Sequence, residues 1–266
     1  MKYLILFLIS FKVFALGKFE SNSHQQIYQY IQSLPYQDRI LVVYDLDNTV
    51  MKSYKNFGSD QWFQWQKTLL GTDSAAAIAQ DFKTLIQVQT EIFTISKMET
   101  TEFSVRSIIS KLQEQGKTII ALTSRGPEMR NVTERELKRL GVNFDISKLG
   151  SDIAKSFIPT NQDRVASYLN GIFMTSGMHK GLMLQYLLER FKSLYSYKHI
   201  VFIDDHKKHT DRVYETFMPY SRWDEIEIDT FRYGHEDNRV RSFHDSNKDE
   251  SIRLGAKLQE IRNALK

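Results

Sequence analysis

Asp45 and Asp47 lie two residues apart in LVVYDLDNTV, at the end of the apolar run Ile40–Tyr44. Side chains at that spacing can leave a strand end toward one crevice. Two carboxylates that close repel, and burial penalises both unless a cation or a shared proton compensates. The pair therefore asks for a metal ion. The ligands are oxygens and the chain has no cysteine, so a hard cation such as Mg²⁺ fits best, keeping waters and binding a substrate phosphate. A strand-end aspartate by itself more often caps a helix or forms a turn. Three later stretches give this one company. TIIALTSRG carries Thr123, Ser124 and Arg125 after a second apolar run, HKGLML opens a helix at Lys180, and HIVFIDD ends a third run on Asp204 and Asp205.

These residues need a scaffold that gathers strand ends. Ile40–Tyr44, Thr118–Leu122 and His199–Asp205 are continuous apolar runs, the pattern of central strands buried on both faces of a parallel sheet. Between and around them the spacing predicts helices over Ser21–Leu34, from Ser104 to Gly116, from Pro127 into Gly141, after His179, through DRVYETF and over the last residues, where Leu254, Leu258, Ile261 and Leu265 share a face. Asn170–Gly177 reads as a strand, IEIDTFRY as another, and 151–168 shows no clear period. Alternating strands and helices imply a Rossmann-like three-layer α/β/α core with a mostly parallel sheet and right-handed crossovers. Ligands of such sheets bind outside the carboxyl ends of strands. Residues 52–114, rich in Gln, Thr and aromatics, read as a small helical cap inserted after the first motif. The expected organisation is a core over 18–51 and 115–266 around that cap.

The four stretches, in this order, resemble the motifs of the haloacid dehalogenase superfamily in its phosphatase branch: DLDNTV resembles D-x-D-x-T, and Thr123, Lys180 and the DD of HIVFIDD match the second, third and fourth motifs. The resemblance implies that Asp45 is a nucleophile forming an aspartyl-phosphate and Asp47 the general acid and then the base. Dehalogenases of the superfamily lack a carboxylate at the place of Asp47; an alkoxide leaving group needs a proton and a halide does not. By the same resemblance Thr123 donates to a phosphate oxygen, and Ser124, Arg125 and backbone amides there add to substrate binding. Lys180 offsets charge on the nucleophile and phosphoryl oxygens. Asp45, the Asp47 carbonyl, Asp205 and Asp204 form the metal set, with Asp205 as the direct ligand and Asp204 acting through water or orienting Lys180. Asn48 and Thr49 shape the turn. ALTSR is further similar to secreted class C acid phosphatases, from which Ser124 departs, since an asparagine usually precedes that arginine. Lys155 is a rival to Lys180 without a following amphipathic helix.

The remaining sequence bounds this reading. The 266 residues are 41% hydrophobic and 26% charged, enough for a full core. The absence of cysteine excludes disulfides, thiolate nucleophiles and Cys-ligated zinc. MKYLILFLISFKVFALG predicts a secretory signal peptide over 1–17, hence a periplasmic or secreted protein. Its apolar run is interrupted by Lys12 and is shorter than the ~20 residues that span a bilayer, so no permanent membrane span is expected. Without Lys2 and Lys12 the formal charge falls by two from its value of +4. No basic run is interleaved with aromatics, and nucleic acid is not an expected partner. His206 and His209 read as a polar loop beside the site, His179 as a possible neighbour of substrate, and Trp62, Phe63 and Trp65 as cap core. The expected function is Mg²⁺-dependent hydrolysis of a small phosphorylated substrate. The alternatives are a catalytically silent binding protein of the same fold, or an exported phosphotransferase or effector. The oligomeric state is open.

Overall fold

A computed structural model describes residues 17–221 and 226–265. The expected signal peptide falls on residues outside these, except Gly17, which opens the first strand. In chain order the elements are β1 (Gly17–Ser21), α1 (His24–Ser33), β2 (Ile40–Tyr44), β3 (Met51–Ser53), α2 (Asp60–Thr68), α3 (Phe82–Ile95), β4 (Met98–Thr100), α4 (Val105–Glu114), β5 (Thr118–Thr123), α5 (Arg130–Leu140), β6 (Ala154–Phe157), β7 (Ala166–Leu169), β8 (Ile172–Met174), α6 (Lys180–Arg190), β9 (His199–Asp204), α7 (Lys207–Ser221), β10 (Glu227–Tyr233), α8 (Asp237–Asp245) and α9 (Asp249–Ala264).

The fold is α/β, as the alternation of runs and helices implies. One sheet runs in the order β1-β10-β9-β2-β5-β8-β7-β6. The pairings from β1 across to β8 are parallel, and β7 and β6 continue the edge antiparallel. Alternate side chains of the central strands enter two cores. Val42, Tyr44, Ile119, Ala121, Val201 and Ile203 pack with α1, α4 and α5, while Leu41, Val43, Ile120, Leu122, Ile200 and Phe202 pack with α6 and α7. Both faces are covered, which is why these strands read as unbroken apolar runs. Each fully buried Val, Ile or Leu contributes about 1.5–3 kcal/mol relative to exposure.

The strand expected over Asn170–Gly177 is shorter. Asn170 (φ 51) and Gly171 (φ 72) form the turn of a hairpin joining β7 to β8. Asn-Gly is the pair that tolerates the two left-handed positions such a turn requires. It converts the unassigned stretch before it into β6 and β7.

The chain leaves and re-enters the core through a two-stranded antiparallel ribbon, β3 with β4. Residues 54–97 lie between its strands. α4, which the expected cap boundary of 52–114 would include, packs on α1, and its Val105, Ile108, Ile109 and Leu112 belong to the core cluster of β2. Conversely, α8 and α9, expected in the core, reach the inserted helices: Phe243 and Leu258 share a cluster with Trp62, Ile78, Leu85, Val88 and Ile92. Gln259 Nε2 donates to the Ile78 carbonyl at 2.7 Å, and Arg262 pairs with Glu91 at 3.2 Å. The C-terminal helices thus brace the insertion.

Candidate active site

The parallel register of β2, β5 and β9 brings their carboxyl ends to one edge. There Asp45, Asp47, Thr123, Ser124, Arg125, Lys180 and Asp205 line a single cavity of about 430 Å³. The Asp45 backbone N–H donates to the Ile203 carbonyl at 2.8 Å, carrying the β2–β9 pairing one residue past the strand. The chain then turns through Asn48, whose φ of 54 is a left-handed value that asparagine accepts. Thr49 follows and knits the turn to its surroundings. Its Oγ1 accepts from the Asp205 N–H at 3.1 Å, and its carbonyl accepts from Thr101 Oγ1 at 2.5 Å and from the buried His24 Nε2 at 2.9 Å.

Lys180 enters from the first position of α6, where His179 Nδ1 caps the helix by accepting from the Leu182 N–H at 3.3 Å. Gly181 lets that helix start lie against α7: a Cβ there would stand 2.2 Å from Thr216 Oγ1 and 2.5 Å from the Arg212 carbonyl. Lys180 Nζ donates to Asp45 Oδ1 at 2.5 Å and to Asp204 Oδ2 at 2.6 Å, with only 1% of the lysine exposed. Burial alone would neutralise the lysine, but the charges of Asp204 and Asp45 outweigh it and hold Lys180 above its ordinary value. Burial pushes Asp45 up to about 7 despite Lys180, with Asp204 and Asp47 adding repulsion. At Asp204 burial acts in the same sense and is overcome by Lys180 and His209, so this carboxyl lies well below the usual carboxylate range. His209 Nδ1 is 3.2 Å from both Asp204 oxygens, and the His206 N–H donates to Asp204 Oδ1 at 2.8 Å.

Asp47 faces a different partner. Arg125 Nε and Nη2 donate to its two oxygens at 2.8 and 2.7 Å, a bidentate pair, and Arg125 Nη1 donates to Thr133 Oγ1 at 2.9 Å. The guanidinium lies 4.3 Å from the centre of the Phe93 ring, which comes from α3 of the insertion. Thr123 Oγ1 accepts from the Arg125 N–H at 3.1 Å. Ser124 is exposed on the cavity wall. The rival Lys155 is exposed on β6.

Carboxylate oxygens of Asp45, Asp204 and Asp205 all lie within 4.8 Å of one another. Burial, with the like charges of Asp204, Asp60 and Asp45, raises Asp205 well above its ordinary value, against the pull of His206. An all-oxygen set holding a carboxyl that lacks sufficient positive company suits a hard divalent cation. Ligand atoms of Asp60, Asp205 and His206 are gathered as closely, but there His206 Nε2 already meets Asp60 Oδ2 at 3.1 Å. That bond raises His206 to about 10 in spite of burial, and so makes a charged contact between α2 and the core.

Several cavity residues escape a reading of the sequence. Asp60 and Phe93 carry no local sign of their place, because only the closure of the insertion over the sheet brings them in. His206 and His209 stand beside the aspartates as read, yet their bonds to Asp60 and Asp204 make them more than a polar loop. Lys208 and Arg212 had a readable sign, since one helical turn separates them just after the DD pair. Of the three aromatics read as cap core, Trp62 is buried there, Trp65 meets Phe243 edge-on, and Phe63 also faces the cavity.

Over residues 20–262 the sequence matches the family described as "Protein of unknown function (DUF2608)". The chain belongs to this family. It is similar to proteins named "Putative outer membrane protein" from Chlamydia: 23% identical to one of Chlamydia pneumoniae, covering 69% of this chain and 66% of the relative, and 22% identical to one of Chlamydia trachomatis, covering 74% and 73%. A third, from Chlamydia muridarum, is 24% identical over 65% of this chain and 62% of its own length. The match thus spans about two thirds of these relatives. Among solved structures, cytosolic 5'-nucleotidase IIIB bound to cytidine aligns with 90% of this chain and 93% of its own, at 13% identity and a TM-score of 0.33. At that TM-score the likeness supports no conclusion about this DUF2608 chain. No helix among the described residues is long and apolar enough to cross a membrane.

Proposed function

We propose that this DUF2608 protein is a phosphomonoester hydrolase of the haloacid dehalogenase type that works through an aspartyl-phosphate. The observation that carries the reading is the buried lysine bridge, Lys180 between Asp45 and Asp204, with Asp47 two residues along and facing the same cavity. A structural ion pair alone would not need Asp47, Asp60 and Asp205 gathered at its mouth as well.

In the first step an Asp45 oxygen attacks phosphorus, the P–O ester bond breaks, and Asp47 delivers a proton to the departing alkoxide. In the second, water attacks phosphorus, Asp47 accepts its proton, the Asp45–phosphorus bond breaks, and inorganic phosphate leaves. Arg125 donates to both oxygens of Asp47 and so fixes its orientation, and the proton that Asp47 gives and takes uses the oxygen lone pairs that Arg125 leaves open. Lys180 and the Thr123 hydroxyl stand where negative charge spreads over the phosphoryl oxygens. Asp205, Asp45 and Asp204, with the Asp47 carbonyl, would hold Mg²⁺, which when bound supplies positive charge to the phosphoryl oxygens and orients the ester. Asp204 fixes Lys180 in addition. Residues 54–97, braced by α8 and α9, close over the site as its cap and favour small esters. The leader-like first 17 residues and the name shared by the chlamydial relatives support an envelope or exported location.

The test is hydrolysis of p-nitrophenyl phosphate with and without Mg²⁺, compared with Asp45→Asn. We expect the variant to lose at least about 10³-fold in kcat while keeping its circular dichroism spectrum. Equal rates would remove Asp45 as nucleophile, and a rate that rises with an added acceptor alcohol would mark phosphotransfer.

A further inference from the structure

We propose that the cavity is built for an ester bearing a second anionic group, a further phosphate or a carboxylate, held by Lys208 and Arg212 of α7. The inference rests on the reading above, in which the scissile phosphate lies against Asp45 and Lys180.

Apart from Asp205, the charges deep in the cavity are engaged with one another. Lys180 is taken by Asp45 and Asp204, Arg125 by Asp47, and His206 by Asp60. Lys208 and Arg212 also line the cavity, yet neither side chain makes a hydrogen bond or ion pair among the described residues. They are four residues apart on one helix, so their side chains share a face. Arg212 is half-buried, and a partly desolvated cation without a partner is a cost that an incoming anion would relieve. Outside the aspartate cluster, Glu128 lines the cavity with no hydrogen bond or ion pair among the described residues, and it is exposed on the turn before α5. Arg164, which donates to the Ser176 carbonyl at 3.1 Å, adds positive charge to the wall.

The space agrees with such a guest. A cavity of about 430 Å³ exceeds what one phosphate group fills and falls in the range of pockets that hold small organic ligands. Phe63, Phe82 and Ile86 supply an apolar wall on the insertion side for the carbon scaffold between the two charged ends.

The experiment is calorimetric titration of the full chain, in Mg²⁺, with propylphosphonate, propane-1,3-bisphosphonate and 4-phosphonobutyrate. None of these can be hydrolysed, so the result is independent of turnover. We expect at least one two-anion ligand to bind about tenfold or more tightly than propylphosphonate, the stronger of the two naming the second anion. In Lys208→Gln/Arg212→Gln that advantage should shrink to less than about threefold, and in Lys208→Arg/Arg212→Lys most of it should remain. Equal affinities for all three ligands, no binding of any, or an advantage that survives in a double Gln variant of unchanged melting temperature would overturn the inference. If the ligand preference holds while Asp45→Asn keeps full activity, the second-anion site stands and the hydrolytic reading fails.

Discussion

Asp45 and Asp47 leave one strand end and meet different company. Asp45 turns inward to Lys180 and Asp204, all supplied by the sheet and by the start of α6, and nearly all of it is dry. Asp47, with 24% of its side chain exposed, turns to Arg125, whose plane rests on Phe93 from the insertion. The inner carboxylate is therefore held by elements that do not depend on the insertion. The outer one is held by a residue that rests on the insertion. If the inner wall performs bond-making and the outer wall proton movement, changes on the two sides should differ in size and kind.

The largest effect is expected for Lys180→Met. It leaves Asp45 and Asp204 buried without their shared cation, which costs about 3–5 kcal/mol when one partner of a buried pair is removed. It also withdraws charge stabilisation worth about 10²–10³-fold in kcat. Urea midpoints and p-nitrophenyl phosphate rates read the two separately. Adding Asp204→Asn to Lys180→Met should recover part of the stability and none of the rate. Recovery of both would mean the bridge is structural only.

Behind the inner wall His24 donates to the Thr49 carbonyl and stacks on Tyr233 at 4.3 Å. Burial pushes its pKa down to about 4, opposed by the Thr49 bond and by Glu102. Unfolded, the ring takes up a proton near pH 6.5, whereas folded it stays neutral until about pH 4. As pH falls through that interval the unfolded chain binds the extra proton, so stability declines, by at most about 3 kcal/mol from this residue. Melting temperatures from pH 7 to 4.5 should fall more steeply for the wild type than for His24→Gln. Parallel curves would remove His24 from the account.

Much of the inner wall was legible in the sequence because each of its residues follows an apolar run or opens an amphipathic helix. Local spacing and parallel pairing together force those ends onto one edge. The outer wall was legible only in its core half. Arg125 could be read as a substrate ligand, and the structure gives it a bidentate bond to Asp47 as well. Phe93 sits mid-helix in a stretch whose periodicity announces burial but not against what. Periodicity does not announce the extent of the insertion either. α4 has the same apolar spacing as the inserted helices, and the ribbon of β3 and β4 that separates them has three residues in each strand, too few to show alternation. The bracing by α8 and α9 joins residues more than 150 positions apart, and no local pattern records it.

Arg125→Ala comes next in size. Asp47 keeps its place on the chain but loses both donors, so kcat should fall by about 10–100-fold. Arg125→Lys should restore only part, since one ammonium cannot reproduce two parallel N–H donors. A full rescue by lysine would reduce Arg125 to a point charge and weaken the contrast between the walls.

The smallest effect isolates the contribution of the insertion. Phe93→Leu keeps apolar volume in a packed position while removing the ring face that carries Arg125, a contact between two buried side chains of a kind worth about 2 kcal/mol when desolvated. Leucine still covers the guanidinium, so only part of this is lost and kcat should fall by about two- to fivefold, in the same direction as Arg125→Ala. In the Arg125→Ala background the ring has no guanidinium to hold, so Phe93→Leu should then change the rate by less than about 1.5-fold. Additive losses in that double variant would show that Phe93 acts on substrate directly, and the outer wall would no longer be a core residue steadied by the cap.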